Sequence, residues 1–325
     1  MKLLSPVSSL ASAKAQISAG ANEIYVGLRT GVYNNYSFSG RGQGSDIYKS
    51  IVPDKKELRE IVNLSHSRNV EVSLAANTPL FSDSFDKNDE TTLNYINYVE
   101  TGIDCGVDNI IVGDIGLIYQ LHKMNLPVNI HASTFLDSMN IEQLYFLKDL
   151  GVTRAVLTYQ ISFEEIKKLC EAKVLEIEVF GYLSCSFFNG SCNLIHNMGE
   201  DNSVEGIHLG TPCKALYKVW AENIEERVIP FFDAELGCAL CSIKKLQEAG
   251  VDVIKIAGRD RNYDLIALVT STFSKAIALT SDKNNKEYEE ELQNMTYAWW
   301  KKIWCSKNRC KYRDNEITRS FIGNL

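Results

Sequence analysis

What these 325 residues lack narrows their function before any motif is considered. There is no long apolar run: stretches such as Val253 to Ile256 have the length of a strand, whereas a membrane-spanning helix needs about 20 apolar residues. The opening MKLLSPVSS has no extended apolar core of the kind a secretory signal carries, so the expectation is a cytoplasmic protein with no membrane span. Proline is scarce, with 6 residues, and 45% hydrophobic and 23% charged residues describe a globular chain that is neither disordered nor fibrous. Basic residues are in deficit, 34 Lys and Arg against 41 Asp and Glu, for a net charge of -7. Nucleic-acid binders ordinarily turn a basic face to the phosphates, so composition ranks RNA below a small-molecule or carrier-bound substrate. HExxH and GxSxG are both absent, which leaves a hydrolytic metal or a serine nucleophile without a motif. SFSGRGQGSD places Gly40, Gly42 and Gly44 close together, but no GK[ST] follows. It reads as a loop presenting Arg41 to an anion, not as a phosphate-binding loop.

Cysteine is what the chain does have, nine in all. In a reducing compartment thiols serve metal binding or catalysis sooner than disulfides. Cys185 and Cys192 in FGYLSCSFFNGSC, Cys213 in GTPC, and Cys238 and Cys241 in GCALC make a group suited to a soft metal. By residue type alone, structural zinc and an iron-sulfur cluster both stay open. Cys105 and Cys170 fall in helix-like stretches among apolar residues and are expected to be packing thiols. Cys305 and Cys310 in WCSKNRCKYRD allow three readings: a second four-thiolate site completed by Cys238 and Cys241, a redox pair, or surface thiols. The run TYAWWKKIWC before them is expected to pack its tryptophans on the body of the protein.

Short β-rich runs alternate with amphipathic stretches along most of the chain, as in NEIYVGL, DKKELREIVNLSHSRN and VEVSLAAN. SAGANEIYV, CGVDNIIV, DLGVTRAVL and EAGVDVIKI each spell a helix end, a glycine stop and a buried strand. About eight such units predict a TIM-like (βα)8 barrel. The barrel is expected to occupy residues 1-280, with a cysteine-rich insertion at 182-241 after the seventh strand and a short helical tail over 281-325. KALYKVW and RVIPFFDA inside the insertion suit a hairpin. Barrels place their chemistry at the carboxyl ends of the strands, so the cysteines are expected to face the mouth. His131 in VNIHAST is expected there too, as general acid or base or as a hydrogen bond to a substrate oxygen. Asn77, Asp114 and Asp233 occupy comparable positions for polar substrate groups, while His196 and His208 fall in the insertion as neighbours of the metal or as exposed residues.

LLSPVSSLASAKAQISAGANEIYVG, NIHASTFLDSMNIEQLYFLKDLGVTRAVL, the cysteine loop and VDVIKIAGR, in that order and spacing, resemble the collagenase-like peptidase family of unassigned catalytic type, U32. The resemblance covers nearly the whole chain. Members with an assigned chemistry are oxygen-independent hydroxylases of transfer RNA, ribosomal RNA or the ubiquinone ring, the last as a pair of homologous subunits. It therefore implies a 4Fe-4S cluster, with prephenate as oxygen donor in some members. Its cluster ligands fall on Cys185, Cys192, Cys213 and Cys238, with Cys241, in the first helical turn, as the alternative fourth. Lys255 and Arg259 match its late motif, and Arg259 joins His131 and Asn77 as a candidate catalytic residue. The chain departs from the family at Tyr159 and Gln160, where many members carry an Arg-Glu pair, at Gly181, where they carry a histidine, and at Ala257, where a glutamate is frequent. These exchanges bear on the oxygen donor more than on the cluster. The expected function is an iron-sulfur hydroxylase of a small-molecule or carrier-bound substrate. An RNA hydroxylase and a non-catalytic partner of a homologous subunit are the alternatives, and a peptidase comes last.

Overall fold

The structure is a computed structural model that describes residues 1-29, 51-77, 90-183, 216-221, 224-229, 237-280, 284-305 and 310-312. Eight parallel strands close into a barrel in the order β1-β10-β7-β6-β5-β4-β3-β2. They are β1 (Lys2–Val7), β2 (Glu23–Val26), β3 (Glu71–Ala76), β4 (Asn109–Val112), β5 (Asn129–Ala132), β6 (Val152–Val156), β7 (Glu176–Tyr182) and β10 (Val253–Ile256). Helices α1 (Leu10–Ser18), α2 (Lys55–His66), α3 (Glu90–Asp104), α4 (Ile115–Met124), α5 (Ile141–Asp149), α6 (Phe163–Ala172) and α7 (Ile243–Glu248) connect them, and α8 (Tyr263–Ala278) follows the last strand. The expected TIM-like barrel is the observed fold, and β8 (Tyr217–Ala221) with β9 (Ile224–Ile229) forms the expected antiparallel hairpin between β7 and β10.

Local chemistry explains where the elements begin and end. Ser9, Asp54, Asp114, Asn140 and Ser162 each accept a hydrogen bond from the third residue of their helix, satisfying donors that the first turn leaves open. The four glycine stops read from the sequence have positive φ: Gly20 at 97°, Gly106 at 90°, Gly151 at 78° and Gly250 at 94°. A side chain there would be strained, so each glycine lets the chain turn sharply from helix into strand.

Two apolar shells lie between the strands and the helices. One gathers Ile24, Val26, Val72, Leu74, Ile110 and their neighbours on the β2 to β5 side. The other joins β6, β7 and β10 to α7 and α8 and continues into the tail. There α9 (Asn285–Met295) and α10 (Ala298–Ile303) bury Tyr288, Leu292, Trp300 and Trp304. Tyr182 at the end of β7 packs on both tryptophans, with ring centroids 5.5 Å and 5.3 Å away. The helical tail therefore shares a core with the barrel.

Candidate functional site at the barrel mouth

The barrel interior carries buried charge where parallel strands usually carry aliphatic side chains. Arg154 of β6 is 1% exposed and reaches across to Glu23 of β2, Nη2 to Oε1 at 2.8 Å. Its Nε donates to Glu176 at 2.9 Å and its Nη1 to Glu178 at 3.3 Å. Lys255 of β10 pairs with the other oxygen of Glu178 at 2.9 Å, and Lys2 pairs with Glu23 at 2.8 Å. Burial works against the Arg154 cation, but Glu23, Glu178 and Glu176 outweigh it and hold Arg154 above its ordinary range. Glu23 is likewise penalised by burial and is held below the usual carboxylate value by Arg154 and Lys2. None of these carboxylates was singled out from the sequence. The signal was the alternation in LEIEVFG, where every second residue of a strand faces the same side.

Above this network the mouth gathers His131, Lys255, Arg259, Tyr25 and Phe180. His131 is 3% exposed. Burial, with the charges of Arg154, Lys255 and Lys2, pushes its pKa well below 6.5. A neutral imidazole suits the role of holding a substrate oxygen better than that of a general acid. Lys255 and Arg259 lie over the Tyr25 ring, at 4.6 Å and 5.9 Å from its centroid. Asn77 follows β3 with its Oδ1 buried and without a hydrogen-bond partner, so it offers an acceptor to a substrate. Asp114 caps α4, its Oδ1 accepting from Leu117 N at 2.9 Å.

Lys311 is a mouth residue that sequence reasoning missed. Its chain returns from the tail, where its N–H donates to the Cys238 carbonyl at 2.8 Å and its carbonyl accepts from Ser242 Oγ at 2.8 Å. The stem crosses Gly237, where a Cβ would come within 2.6 Å of Lys311 Cγ. The ammonium ends buried among the rings of Tyr159, Phe180 and Tyr312, at 5.2 Å, 5.6 Å and 5.2 Å, and has no hydrogen-bond partner. Burial lowers its pKa from 10.5 to about 7, partly opposed by the neighbouring Cys238. Tyr159, a departure from the family pattern, is therefore part of a ring cage around a cation. Gly181 reads differently once placed: a Cβ there would meet Ile254 Cγ2 and lie 2.9 Å from Phe273 Cε1 of α8. That position of β7 faces the helix layer of this barrel.

The cysteines divide into groups. Cys105 and Cys170 are buried in the apolar shells as expected, and burial raises both thiols, Cys170 to about 12. Cys185, Cys192 and Cys213 lie outside the described residues, as do His196, His208, Asp233, Arg41 and the loop glycines. Cys238 is buried beside the end of β7, where it bridges to Tyr182 on one side and to Cys310 on the other. Its sulfur accepts from the Leu240 N–H at 3.5 Å and from the Trp300 indole. Cys238, Cys241, Cys305 and Cys310 line one cavity with Leu240, Trp300 and Trp304. Among the described residues, no three His, Cys, Asp or Glu side chains already stand at ion-binding separation.

Two N–H donors aimed at Cys238 suit a thiolate ligand, so its chemistry fits a metal or cluster. Within the described residues Cys238 shares its cavity with Cys241, Cys305 and Cys310.

Fold and site thus define a (βα)8 barrel with a cationic, ring-lined mouth and a thiol-bearing rim. The chain belongs to peptidase family U32, whose profile matches residues 8–315. It is 25% identical over 284 residues to a 23S rRNA 5-hydroxycytidine synthase of Escherichia coli, covering 85% of this chain and 39% of that protein. It is also 25% identical over 305 residues to tRNA hydroxylation protein P1 of Bacillus subtilis, covering 90% of this chain and 67% of that protein. The chain therefore spans about two-fifths of the first relative and about two-thirds of the second. A solved U32 peptidase structure superposes with a TM-score of 0.49 at 12% identity, covering 79% of this chain and 93% of that one. Among the described residues, no helix is long and apolar enough to cross a membrane.

Proposed function

We propose that this protein is an oxygen-independent hydroxylase acting on an RNA nucleobase. The observation that carries the proposal is the family match over residues 8–315, within which relatives covering most of the chain are named for rRNA and tRNA hydroxylation. This ranking reverses the one from net charge: a local cationic mouth serves an anionic substrate whatever the sum over the chain. Asn77 Oδ1 would accept a hydrogen bond from the base, and neutral His131 would hold a base oxygen. Arg259 and Lys311 would meet the carboxylates of an organic oxygen donor such as prephenate, with Tyr25, Tyr159 and Phe180 packing on its apolar part. The cofactor would be a 4Fe-4S cluster carried by Cys185, Cys192, Cys213 and Cys238, with Cys241 as the alternative fourth ligand, and when bound it supplies the electron-transfer chemistry that side chains lack. The buried walls of the mouth would keep bulk water from the reacting base.

The test is nucleoside mass spectrometry of tRNA and rRNA from cells with and without the gene. The expected result is a nucleoside one oxygen heavier than its parent, lost on deletion and restored by the wild type but not by His131→Ala or Arg259→Ala of unchanged thermal stability. An unchanged nucleoside profile overturns the RNA reading. The second reading is a small-molecule or carrier-bound substrate, handled alone or beside a homologous subunit, and the net charge of -7 favours it. Anaerobic hydroxylation of such a compound by the purified protein, with RNA unmodified, would establish it.

A further inference from the structure

We infer that the exposed face of α10, with Trp299, Lys302 and the leading residue Tyr297, is a docking surface for single-stranded RNA beside the barrel mouth. It would hold nucleotides that flank the target base. The inference rests on the RNA reading above and adds to it where the polymer, as distinct from the reacting base, is bound.

Charge is unevenly spread along this chain. Of its 34 Lys and Arg, six fall between Thr296 and Arg313, namely Lys301, Lys302, Lys307, Arg309, Lys311 and Arg313, and none of its 41 Asp and Glu does. The net charge of -7 repels a polyanion from the chain as a whole, so an RNA is drawn to a basic segment within it. The preceding helix has the reverse character: α9 sets Glu287, Glu289, Glu290 and Glu291 against Lys286. A phosphate backbone is thereby steered away from α9 and onto α10.

The two faces of α10 are used differently. Trp300 and Trp304, 1% and 2% exposed, pack on Tyr182 and account for the tail's hold on the barrel. Tyr297 and Ile303 are 42% and 40% exposed, Lys302 is exposed and Trp299 is half-buried. The rings of Tyr297 and Trp299 stack, with centroids 6.2 Å apart and planes 15° apart. The helix dipole accounts for lysines in the last turn of α10, and Lys301 donates to the Gln293 carbonyl at 2.8 Å. It does not account for aromatic rings left in water beside them. Rings next to cations are the means by which proteins hold single-stranded nucleic acid, because each base offers a face to stack on and each nucleotide a phosphate.

The position of α10 gives such a contact a use. Tyr182, on which its tryptophans sit, is the last residue of β7, at the carboxyl end where barrels keep their chemistry. Further along the tail, the Lys311 N–H donates to the Cys238 carbonyl at 2.8 Å and Tyr312 Oη donates to the Phe180 carbonyl at 3.0 Å. Phe180 is itself a mouth residue, so the tail and the mouth share one side of the barrel rim. A protein partner would have to bring carboxylates to these lysines, whereas RNA carries a phosphate with every base.

Fluorescence anisotropy of a short labelled single-stranded RNA, titrated with the full chain at several salt concentrations, tests the surface. The wild type is expected to bind, and less tightly as salt rises. Tyr297→Ala should weaken binding about 5- to 150-fold, and Lys302→Ala should reduce the slope of log affinity against log salt by about 0.7. Lys148→Ala, at an exposed position on α5, should change neither. Tyr297 and Lys302 are exposed, so both variants should keep the wild-type melting temperature. A wild type that binds no RNA overturns the surface, as do wild-type affinity and slope in both variants. Capture of a protein in place of RNA, lost in Tyr297→Ala, overturns it in favour of a protein partner. RNA bound through Tyr297 and Lys302, with an unchanged nucleoside profile in cells lacking the gene, would uphold the surface and count against the proposed function alone. A hydroxylated nucleoside with RNA bound equally by both variants would count against the surface alone.

Discussion

Single residues set the electrostatics of the barrel interior. Arg154 satisfies three carboxylates at once, and this is what makes buried glutamates tolerable, since removing one member of such a network strands the others in a low dielectric. His131 and Glu23 give the network a pH signature of one sign. Both fold with pKa values below their ordinary 6.5 and 4.5. The unfolded chain thus takes up protons at acid pH that the folded chain does not, and stability falls as pH drops. Loss should begin below about pH 6.5 through His131 and resume below about pH 4.5 through Glu23. His131→Gln should flatten the first step and leave the second, measured as urea midpoints across pH. A first step that persists in His131→Gln would assign it to another group.

Elements were the most legible scale. The helix-glycine-strand phrase recurs because one local problem, turning from helix into a buried strand, has one inexpensive solution, and its φ values confirm it at Gly20, Gly106, Gly151 and Gly250. The hairpin of β8 and β9 could be read from its two strand-like pieces because antiparallel neighbours need only a short connection. Which face each strand residue takes was less legible. Glu176 and Glu178 share a β-strand phase that closure of the barrel turns inward, and Gly181 takes the opposite phase, against Ile254 and Phe273. Gly181→Ala is therefore expected to overpack the interface of β7 and α8 and to cost about 1–3 kcal/mol, read from chemical denaturation. A neutral result would mean that α8 moves away without penalty.

At the scale of the whole molecule the barrel and the tail behave as one body. The apolar shell that begins with Leu3, Val179 and Ile254 ends with Tyr288, Leu292, Trp300 and Trp304, so the boundary drawn near residue 280 divides the chain by sequence but not its core. A chain ending at Thr280 uncovers Tyr182, Leu240 and Phe273. It is expected to bind a hydrophobic dye and to melt well below the full chain by differential scanning calorimetry; equal melting temperatures would show that the tail contributes nothing to the barrel.

The sequence by itself determined the barrel, the hairpin, the family and the buried packing roles of Cys105 and Cys170, because each depends on patterns within a few dozen residues: periodicity, caps, glycine stops and motif order. It also presented Cys238, Cys241, Cys305 and Cys310 as candidates for one site without deciding among the alternatives. Only the tertiary structure decided the partners of Arg154 and the ring cage around Lys311. It also gave the tail thiols a common cavity with the GCALC pair. Those contacts join residues as far apart as Glu23 and Arg154 or Phe180 and Tyr312. They come into being when the strands close on themselves and the tail returns to β7, a consequence of the whole chain's packing that no local pattern records.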